Sequence, residues 1–251
     1  MAILTESELR LFTADTRPLT QGISVVIPYK DRPTSLLPCV EHIRTQGYPC
    51  EIIVVEETTE CTVDIPDITY VRVEPAGQFF NKSRCINAGV AAAKYEHICL
   101  NDADIIMQRG YLHTINTILK IHETGNVARQ IYYLTNVPSP SILPEYEWKW
   151  TDRNPDRCSG GNVFWRKSAF VRIGGMNEAF EGYGAEDAEF HHRAIKLSNF
   201  FDIRTMSLLH IPHPPQYGPG TNVKLWKAMM ALPIAQLLGK LRSDLAKHGL
   251  K

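Results

Sequence analysis

CLNDADIIM, residues 99–107, is the stretch from which the fold can be worked out. An apolar run ends at Asp102 and Asp104 and then resumes. In an extended backbone, side chains two residues apart point to the same side, so both carboxylates would lie together while Ala103 faces away. Carboxylates this close repel each other unless a cation is near. Their oxygens suit a hard divalent ion, Mn²⁺ or Mg²⁺, but an ordinary acidic loop after a strand is the alternative.

Outward from this stretch, apolar strands alternate with helices. β-Branched runs predict strands, and apolar residues at helical spacing predict the helices between them. The predicted strands are 23–29, 51–56, 69–73 and 96–102, and the predicted helices are 34–46, 81–94 and 110–122. This alternation predicts an α/β fold with a mainly parallel central sheet flanked by helices. Ligands of such sheets bind beyond the carboxyl ends of the strands, where Asp102 and Asp104 stand.

The second half of the chain has a different character. Residues 137–158 are rich in proline and aromatic residues and predict an ordered loop over a site. A short strand (162–165), a helix (186–197) and a final strand (203–210) are expected after it. Residues 222–248 predict a helical tail with lysines among apolar residues, suited either to a membrane surface or to packing on the domain.

Composition excludes several functional classes. Lys+Arg and Asp+Glu are both 27, so a net charge of zero gives no reason to expect nucleic acid as the partner. No apolar run is long enough to span a membrane, and the acidic N-terminal segment is unlike a signal peptide, so a cytoplasmic protein is expected. The six cysteines lack metal-binding spacing and are predicted to be free thiols, with a Cys50–Cys61 bridge as the exception if the protein is secreted.

The segment GYGAEDAEFHHR, residues 182–193, is a second candidate for chemistry. Gly182 and Gly184 allow a tight turn close to a ligand, and Glu186 opens a helix. Asp187 begins the apolar stripe of that helix, and a carboxylate at the edge of an apolar site can have a raised pKa and act as a general base. A helix with an acidic first turn and no further role is the alternative.

LLHIPHP, residues 208–214, follows a predicted strand and carries His210 and His213. One of these imidazoles can complete a metal site at Asp104, although a histidine at a strand end is also commonly structural. Neither GxGxxG nor GxxxxGK[ST] occurs in the chain. A nucleotide would therefore be held by acidic residues and a metal rather than by a glycine-rich phosphate loop.

Four segments together resemble the inverting glycosyltransferases of the GT-A type, family 2, nearest the β-1,4-galactosyltransferase and chondroitin-polymerase branch. They are VVIPYKDRP (25–33), FFNKSRCINAG (79–89), NDAD (101–104) and SGGNVFWRKSAFVRIGGMNEAFEGYGAEDAEF (159–190). The order of these motifs matches the family, and the resemblance covers about Ile23 to His213. The chain departs from it where Lys30 and Lys82 replace arginines, which loses bidentate phosphate recognition.

The resemblance implies a role for each matched residue. Asp104 would bind the metal, His210 would complete its site, and Asp187 would be the catalytic base. Donor or acceptor contacts would come from Pro28, Tyr29, Lys30 and Arg32 (nucleotide pocket), Glu56 (uracil), Lys82 (diphosphate), Asp102 (metal-bound water or ribose), Gly161 (the Gly-Gly segment), Tyr183 (stacking on the acceptor sugar) and Glu186 (sugar hydroxyls).

The implied activity is metal-dependent, inverting transfer of a hexose or N-acetylhexosamine from a UDP-sugar to a glycan or glycoconjugate hydroxyl. Cys158 would stand where galactosyltransferases have a tyrosine that crowds the C2 substituent, so UDP-GalNAc is expected beside or ahead of UDP-Gal. One GT-A domain, 1–221, is expected, with a nucleotide-binding half (about 23–135), an acceptor half (about 136–221) and the tail 222–251. A metal-dependent phosphohydrolase or nucleotidyltransferase and an inactive sugar-binding relative are the alternatives.

Overall fold

The computed structural model describes residues 22–136, 161–214 and 218–251. The strands in these ranges are β1 Ile23–Tyr29, β2 Cys50–Glu57, β3 Thr69–Val73, β4 His97–Asn101, β5 Ile105–Met107, β6 Thr124–Gly125, β7 Ala128–Tyr133, β8 Asn162–Arg166, β9 Phe200–Phe201 and β10 Met206–His210. The helices are α1 Pro33–Arg44, α2 Lys82–Ala92, α3 Tyr111–Leu119, α4 Lys167–Arg172, α5 Glu186–Leu197, α6 Asn222–Met230 and α7 Ile234–Lys247.

The strands form two sheets. The larger one has the order β3-β2-β1-β4-β8-β6-β9, in which β3, β2, β1 and β4 run parallel and β8 pairs antiparallel with both β4 and β6. The smaller sheet has the order β5-β10-β7. The predicted α/β architecture with a mainly parallel central sheet and flanking helices is therefore confirmed.

Strand β1 lies between β2 and β4 and is buried on both faces, as its continuous apolar sequence predicts. Val25 and Ile27 pack into one apolar cluster together with residues of α1, whereas Val26 packs into a second cluster together with residues of α2. Helix α2 lies very close to β1 at Gly89: a Cβ added to this residue would lie only 2.4 Å from Val26 Cγ1. Gly89 thus sets the distance between α2 and the sheet.

The two aspartates of the opening stretch lie in a turn. Strand β4 ends at Asn101, and Ile105 N donates to Asp102 O at 3.0 Å. The buried Asn101 side chain donates through Nδ2 to Asp102 O (3.0 Å) and Ile105 O (2.8 Å). The prediction of an extended backbone through Asp104 is wrong, because a local side-chain donor satisfies carbonyls that a strand would have paired.

The tail is helical as predicted but consists of two helices. Pro233, which has no N–H to continue the helical hydrogen bonds, separates α6 from α7. The apolar side of α7 is buried through Leu237, Leu241 and Leu245. Of the two alternatives for the tail, packing on the domain is the one observed, and a membrane contact is unsupported. No described helix has the length and apolar character needed to cross a bilayer.

Smaller differences concern short elements. The strand predicted from residue 203 begins at Met206, and β5, β6, β9 and α4 are too short to give a periodic signal. The five described cysteines are free, as expected, so there is no Cys50–Cys61 bridge. Cys158 and the loop predicted at 137–158 lie outside the described residues.

Candidate active site

A cavity of about 790 Å³ opens at the carboxyl end of the parallel strands. This volume is in the range of small-molecule sites. All but two of the predicted site residues line it: Pro28, Lys30, Arg32, Lys82, Asp102, Asp104, Gly161, Tyr183, Glu186, Asp187 and His210. Segments more than 150 residues apart in sequence thus meet at the edge of the sheet where a ligand was expected.

Tyr29 and Glu56 are the two exceptions. They pair with each other across β1 and β2 and are not among the residues that line the cavity. The Glu56 carboxylate accepts hydrogen bonds from Thr62 N (3.1 Å), the Thr62 hydroxyl and Tyr70 OH (2.7 Å). In the structure Glu56 therefore holds the loop after β2, and its contact with uracil stays a prediction.

Lys82 is the centre of a cluster of carboxylates. Asn81 caps α2 by accepting a hydrogen bond from Arg84 N at 3.0 Å, which fixes Lys82 as the first residue of the helix. Lys82 Nζ lies 3.0 Å from Asp102 Oδ2 and 3.2 Å from Asp187 Oδ2. Lys82 Nζ also lies 3.7 Å from Glu186 Oε1. One ammonium group thus connects the turn at Asp102–Asp104, here called the DxD turn, to the start of α5.

The charges in this cluster shift one another's pKa. Burial raises the pKa of Asp187 to about 7, and the nearby positive charge of Lys82 opposes this rise. For Lys82, burial lowers the pKa, but Asp102 and Asp187 outweigh it and the pKa is raised. Asp187 therefore has the acidity of a group that can accept a proton near neutral pH.

Helix α5 presents Glu186 and Asp187 in its first turn, where the helix dipole favours acidic residues. The preceding Ala185 has a φ of 74°, an uncommon left-handed conformation for alanine. Phe190 and Ala194 are buried one and two turns later, as the predicted apolar stripe requires. Glu186 Oε2 is buried without a hydrogen-bond partner among the described residues, so the cavity offers an unused acceptor to a ligand.

A second cluster joins the DxD turn to the end of β10. Asp104 Oδ2 lies 3.1 Å from His213 Nε2, and Asp104 Oδ1 lies 3.9 Å from His210 Nε2. The three residues offer ligand atoms that all lie within 4.8 Å of one another. Burial and the neighbouring His213 lower the pKa of His210 to about 4, so its imidazole is neutral and able to bind a metal. These residues fit a divalent cation.

Arg32 also contacts this cluster. Its guanidinium forms an ion pair with Asp104, whose side chain is 3% exposed. Arg32 immediately precedes α1, and its carbonyl accepts hydrogen bonds from Ser35 N and Leu36 N, so the first turn of α1 fixes its position. A positive charge beside Asp104 lowers the cost of burying that carboxylate.

The sequence alone left undecided which of the two histidines joins Asp104. The structure brings both to it, with Nε2 of His213 and of His210 at 3.1 and 3.9 Å from the Asp104 carboxylate. Tyr133, which was not predicted as a site residue, lines the cavity with its ring centroid 4.8 Å from that of His210. The only sequence signal for Tyr133 is its place near the end of an apolar strand.

Comparison with known proteins identifies the class of enzyme. A sequence profile of glycosyl transferase family 2 matches residues 24–177, and a profile described as the N-terminal domain of galactosyltransferase matches residues 144–213. The first match spans more than half of the chain, so the chain belongs to glycosyltransferase family 2. It is a glycosyltransferase.

Individual relatives agree with this class. The chain is 28% identical to a chondroitin synthase of Pasteurella multocida over 77% of this chain and 25% of that protein. It is 23% identical to β-1,4-galactosyltransferase 7 of Drosophila melanogaster over 80% of this chain and 50% of that protein. The chain thus spans only a quarter to a half of the length of these relatives.

Solved structures share the fold. The structure of S. aureus TarS 1–349 in complex with UDP-GlcNAc superimposes with a TM-score of 0.61 at 14% identity, covering 90% of this chain and 72% of that one. The catalytic domain of Drosophila β-1,4-galactosyltransferase 7 in complex with xylobiose superimposes with a TM-score of 0.50 at 20% identity, covering 77% and 71%. The predicted GT-A fold is confirmed.

Proposed function

We propose that this glycosyltransferase moves a hexose or N-acetylhexosamine from a UDP-sugar to a hydroxyl of a glycan or glycoconjugate, with inversion at the sugar C1 and with a divalent metal. One observation carries the proposal. A single cavity contains Asp187, whose pKa is raised to about 7, and the cluster of Asp104, His210 and His213 that fits a cation. Asp187 would supply the base for the nucleophile, and a cation held by Asp104, His210 and His213 would supply the positive charge for the leaving group.

The residues of the chain divide the reaction between them. Asp187 accepts the proton of the acceptor hydroxyl while the hydroxyl oxygen forms a bond to C1. The bond from C1 to the diphosphate oxygen breaks with its electron pair, and UDP leaves. A bound metal would neutralise the negative charge that develops on the diphosphate. Attack opposite the leaving group converts an α-linked donor into a β-linked product.

The ligand set favours Mn²⁺ over Mg²⁺. Mg²⁺ prefers a near-octahedral shell of oxygen ligands and keeps several waters. The cluster instead offers one carboxylate, Asp104, and two imidazoles, His210 and His213. Nitrogen ligands bind first-row transition ions more readily than they bind Mg²⁺.

The relatives support the substrate classes. TarS was solved with UDP-GlcNAc, and the Drosophila enzyme was solved with xylobiose, which are a UDP-sugar and a glycan. The name of the Pasteurella relative, chondroitin synthase, supports a glycan acceptor as well. The preference for UDP-GalNAc rests on Cys158 in the sequence. Because the chain spans a quarter of that synthase, the proposal covers a single transfer step.

Release of UDP tests the proposal directly. The protein is incubated with Mn²⁺ and with UDP-GalNAc, UDP-Gal, UDP-GlcNAc or UDP-Glc, with and without a chondroitin oligosaccharide or xylobiose, and the product anomer is determined by NMR. We expect acceptor-dependent UDP release, greatest with UDP-GalNAc, and a β-linked product. Asp187→Asn should lower the rate roughly 10²- to 10⁴-fold, as expected for loss of a general base.

The matched control is Asp202→Asn, which removes an exposed aspartate that pairs with Arg204 away from the cavity. Transfer that is unchanged in Asp187→Asn would show that another group is the base. Hydrolysis of unrelated phosphodiesters without sugar transfer would favour the phosphohydrolase alternative. Equal or faster turnover of UDP-Gal would contradict the role given to Cys158.

A further inference from the structure

The loop of residues 181–185 connects the core to α5 and is here called the acceptor loop. It carries Tyr183, which lines the mouth of the cavity and is 78% exposed. Three of its residues have left-handed backbone angles: Gly182 (φ 66°), Gly184 (φ 103°) and Ala185 (φ 74°). A loop of this conformation has no regular hydrogen-bond pattern of its own, so its shape depends on contacts from elsewhere.

One of these contacts comes from the tail. Asn222, the first residue of α6, is 5% exposed and donates through Nδ2 to Glu181 O (2.9 Å) and Tyr183 O (3.3 Å). A single side-chain amide thus holds the carbonyl groups on both sides of Gly182. On its other side, Gly182 N donates to Phe80 O at 2.7 Å, so the loop is held between α6 and the segment that leads into α2.

The backbone before α6 approaches the same loop closely. A Cβ added to Gly218 would lie 2.7 Å from Tyr183 N and 3.0 Å from Tyr183 O. This space admits no side chain, so the chain before α6 lies directly against the Tyr183 backbone. The tail, for which the sequence left open a membrane surface or packing on the domain, is therefore in contact with the residues that precede Asp187.

We propose that Asn222 is a positioning residue that fixes the acceptor loop, and through it the relative placement of Tyr183 and Asp187 towards the acceptor sugar. This rests on the proposed function. The carbonyls that Asn222 holds belong to Tyr183 and to a residue two positions before it, and Asp187 follows four residues later. If these carbonyls lose their donor, the Tyr183 peptide can rotate, and an acceptor hydroxyl is no longer aligned with the base.

Asn222→Asp tests this role with little change of shape. The carboxylate cannot donate, so both carbonyls lose their donor and face a negative charge. The protein loaded with Mn²⁺ is assayed with UDP-GalNAc and a chondroitin hexasaccharide. We expect KM for the hexasaccharide to rise roughly ten- to thirty-fold, the change for two lost hydrogen bonds, while Kd for UDP stays within about twofold.

Amide hydrogen exchange gives a readout that needs no activity. Exchange in Asn222→Asp should rise in residues 181–185 and remain unchanged in β1 and β4. Asn199→Asp is the matched control, because Asn199 Nδ2 also donates to a backbone carbonyl, that of Ile121 (3.4 Å), but not near the cavity. This control should change neither KM nor loop exchange.

Two results would overturn the positioning role. One is unchanged exchange in the acceptor loop. The other is a rise in acceptor KM that comes with a similar loss of UDP affinity and a lower melting temperature, which indicates general destabilisation. Failure of the proposed function looks different. In that case the unmodified protein transfers no sugar to any acceptor, and the exchange experiment alone decides whether Asn222 holds the loop.

Discussion

Removal of the Lys82 charge should move the pH dependence of the reaction to higher pH. The Lys82 ammonium lies 3.2 Å from Asp187 Oδ2 and is the cation that opposes the burial-induced rise in the pKa of this carboxylate. At an effective dielectric constant of about 20, the attraction at this distance is about 5 kcal/mol. This would correspond to about 4 pKa units at 1.36 kcal/mol each.

The observed shift should be smaller than this upper bound. Water can enter the space of the missing ammonium, and an opposite charge at such distances usually shifts a carboxyl pKa by about 1–3 units. Lys82→Met should therefore raise the pKa of Asp187 from about 7 to between about 8 and 10. A carboxylate base is active only when ionised, so the rate must fall at neutral pH and recover as the pH rises. For a shift of two units, the ionised fraction at pH 7.5 drops roughly 25-fold.

The assay is kcat/KM for the UDP-sugar between pH 5.5 and 10, which reports the pKa of the free enzyme. Lys82→Arg keeps the charge and should keep the ascending limb near pH 7. Lys167→Met is the matched control for loss of a half-buried lysine, since Lys167 donates to the carbonyls of Ala91 and Ala93 and does not line the cavity. If Lys82→Met lowers kcat/KM at every pH while its rise with pH still has a midpoint near 7, the electrostatic argument is refuted. Loss of diphosphate binding would then be the explanation.

Two further predictions concern the metal and the fold. His213→Ala removes one of three ligands, so it should weaken Mn²⁺ binding on the order of 100-fold in a calorimetric titration, whereas the surface variant His113→Ala should leave it unchanged. Arg193→Met breaks a fully buried ion pair with Glu189 (2.6 Å) and should lower the free energy of unfolding in urea by about 3–5 kcal/mol; a loss below about 1 kcal/mol would show that water reaches Glu189.

Periodicity was enough to predict the central sheet. Strands β1, β2 and β4 carry continuous apolar runs, and these leave few alternatives to a parallel sheet covered on both faces, whereas β3 is a partly buried edge strand. The order of the motifs likewise predicted that Asp104, Asp187 and His210 belong to one site, and all three line the same cavity. Each of these residues stands at the end or the start of a regular element, so predicting the elements also predicted where their ends would meet.

Contacts that depend on side chains of irregular segments were not predictable. The turn at Asp102–Asp104 depends on the Asn101 amide, and nothing in the spacing of residues indicates where that amide points. The contact of Asn222 with the loop before α5 joins segments 39 and 41 residues apart without a shared periodic pattern. The uracil contact assigned to Glu56 remains a prediction, because its carboxylate is engaged by Thr62 and Tyr70.

The charges that line the cavity give an independent reason to expect a divalent ion. Four carboxylates line it (Asp102, Asp104, Glu186 and Asp187), and two cations, Lys82 and Arg32, contact them. Lys30 also lines the cavity, but it pairs with Glu57 at 2.9 Å and therefore adds no net charge. With all four carboxylates ionised and with His210 and His213 neutral, four negative and two positive charges give the site a net charge of −2.

One divalent cation at Asp104 would balance this charge, and a bound diphosphate with two negative charges would return the site to −2. The diphosphate would oppose ionisation of Asp187, since a carboxylate ionises less readily beside like charge, and the cation would offset this effect. Under the proposed function, the cation would therefore keep Asp187 able to ionise near neutral pH at the stage when an acceptor hydroxyl must be deprotonated. Under the proposed function, the same electrostatics favours binding of the metal before the UDP-sugar, because the site without a cation repels a diphosphate.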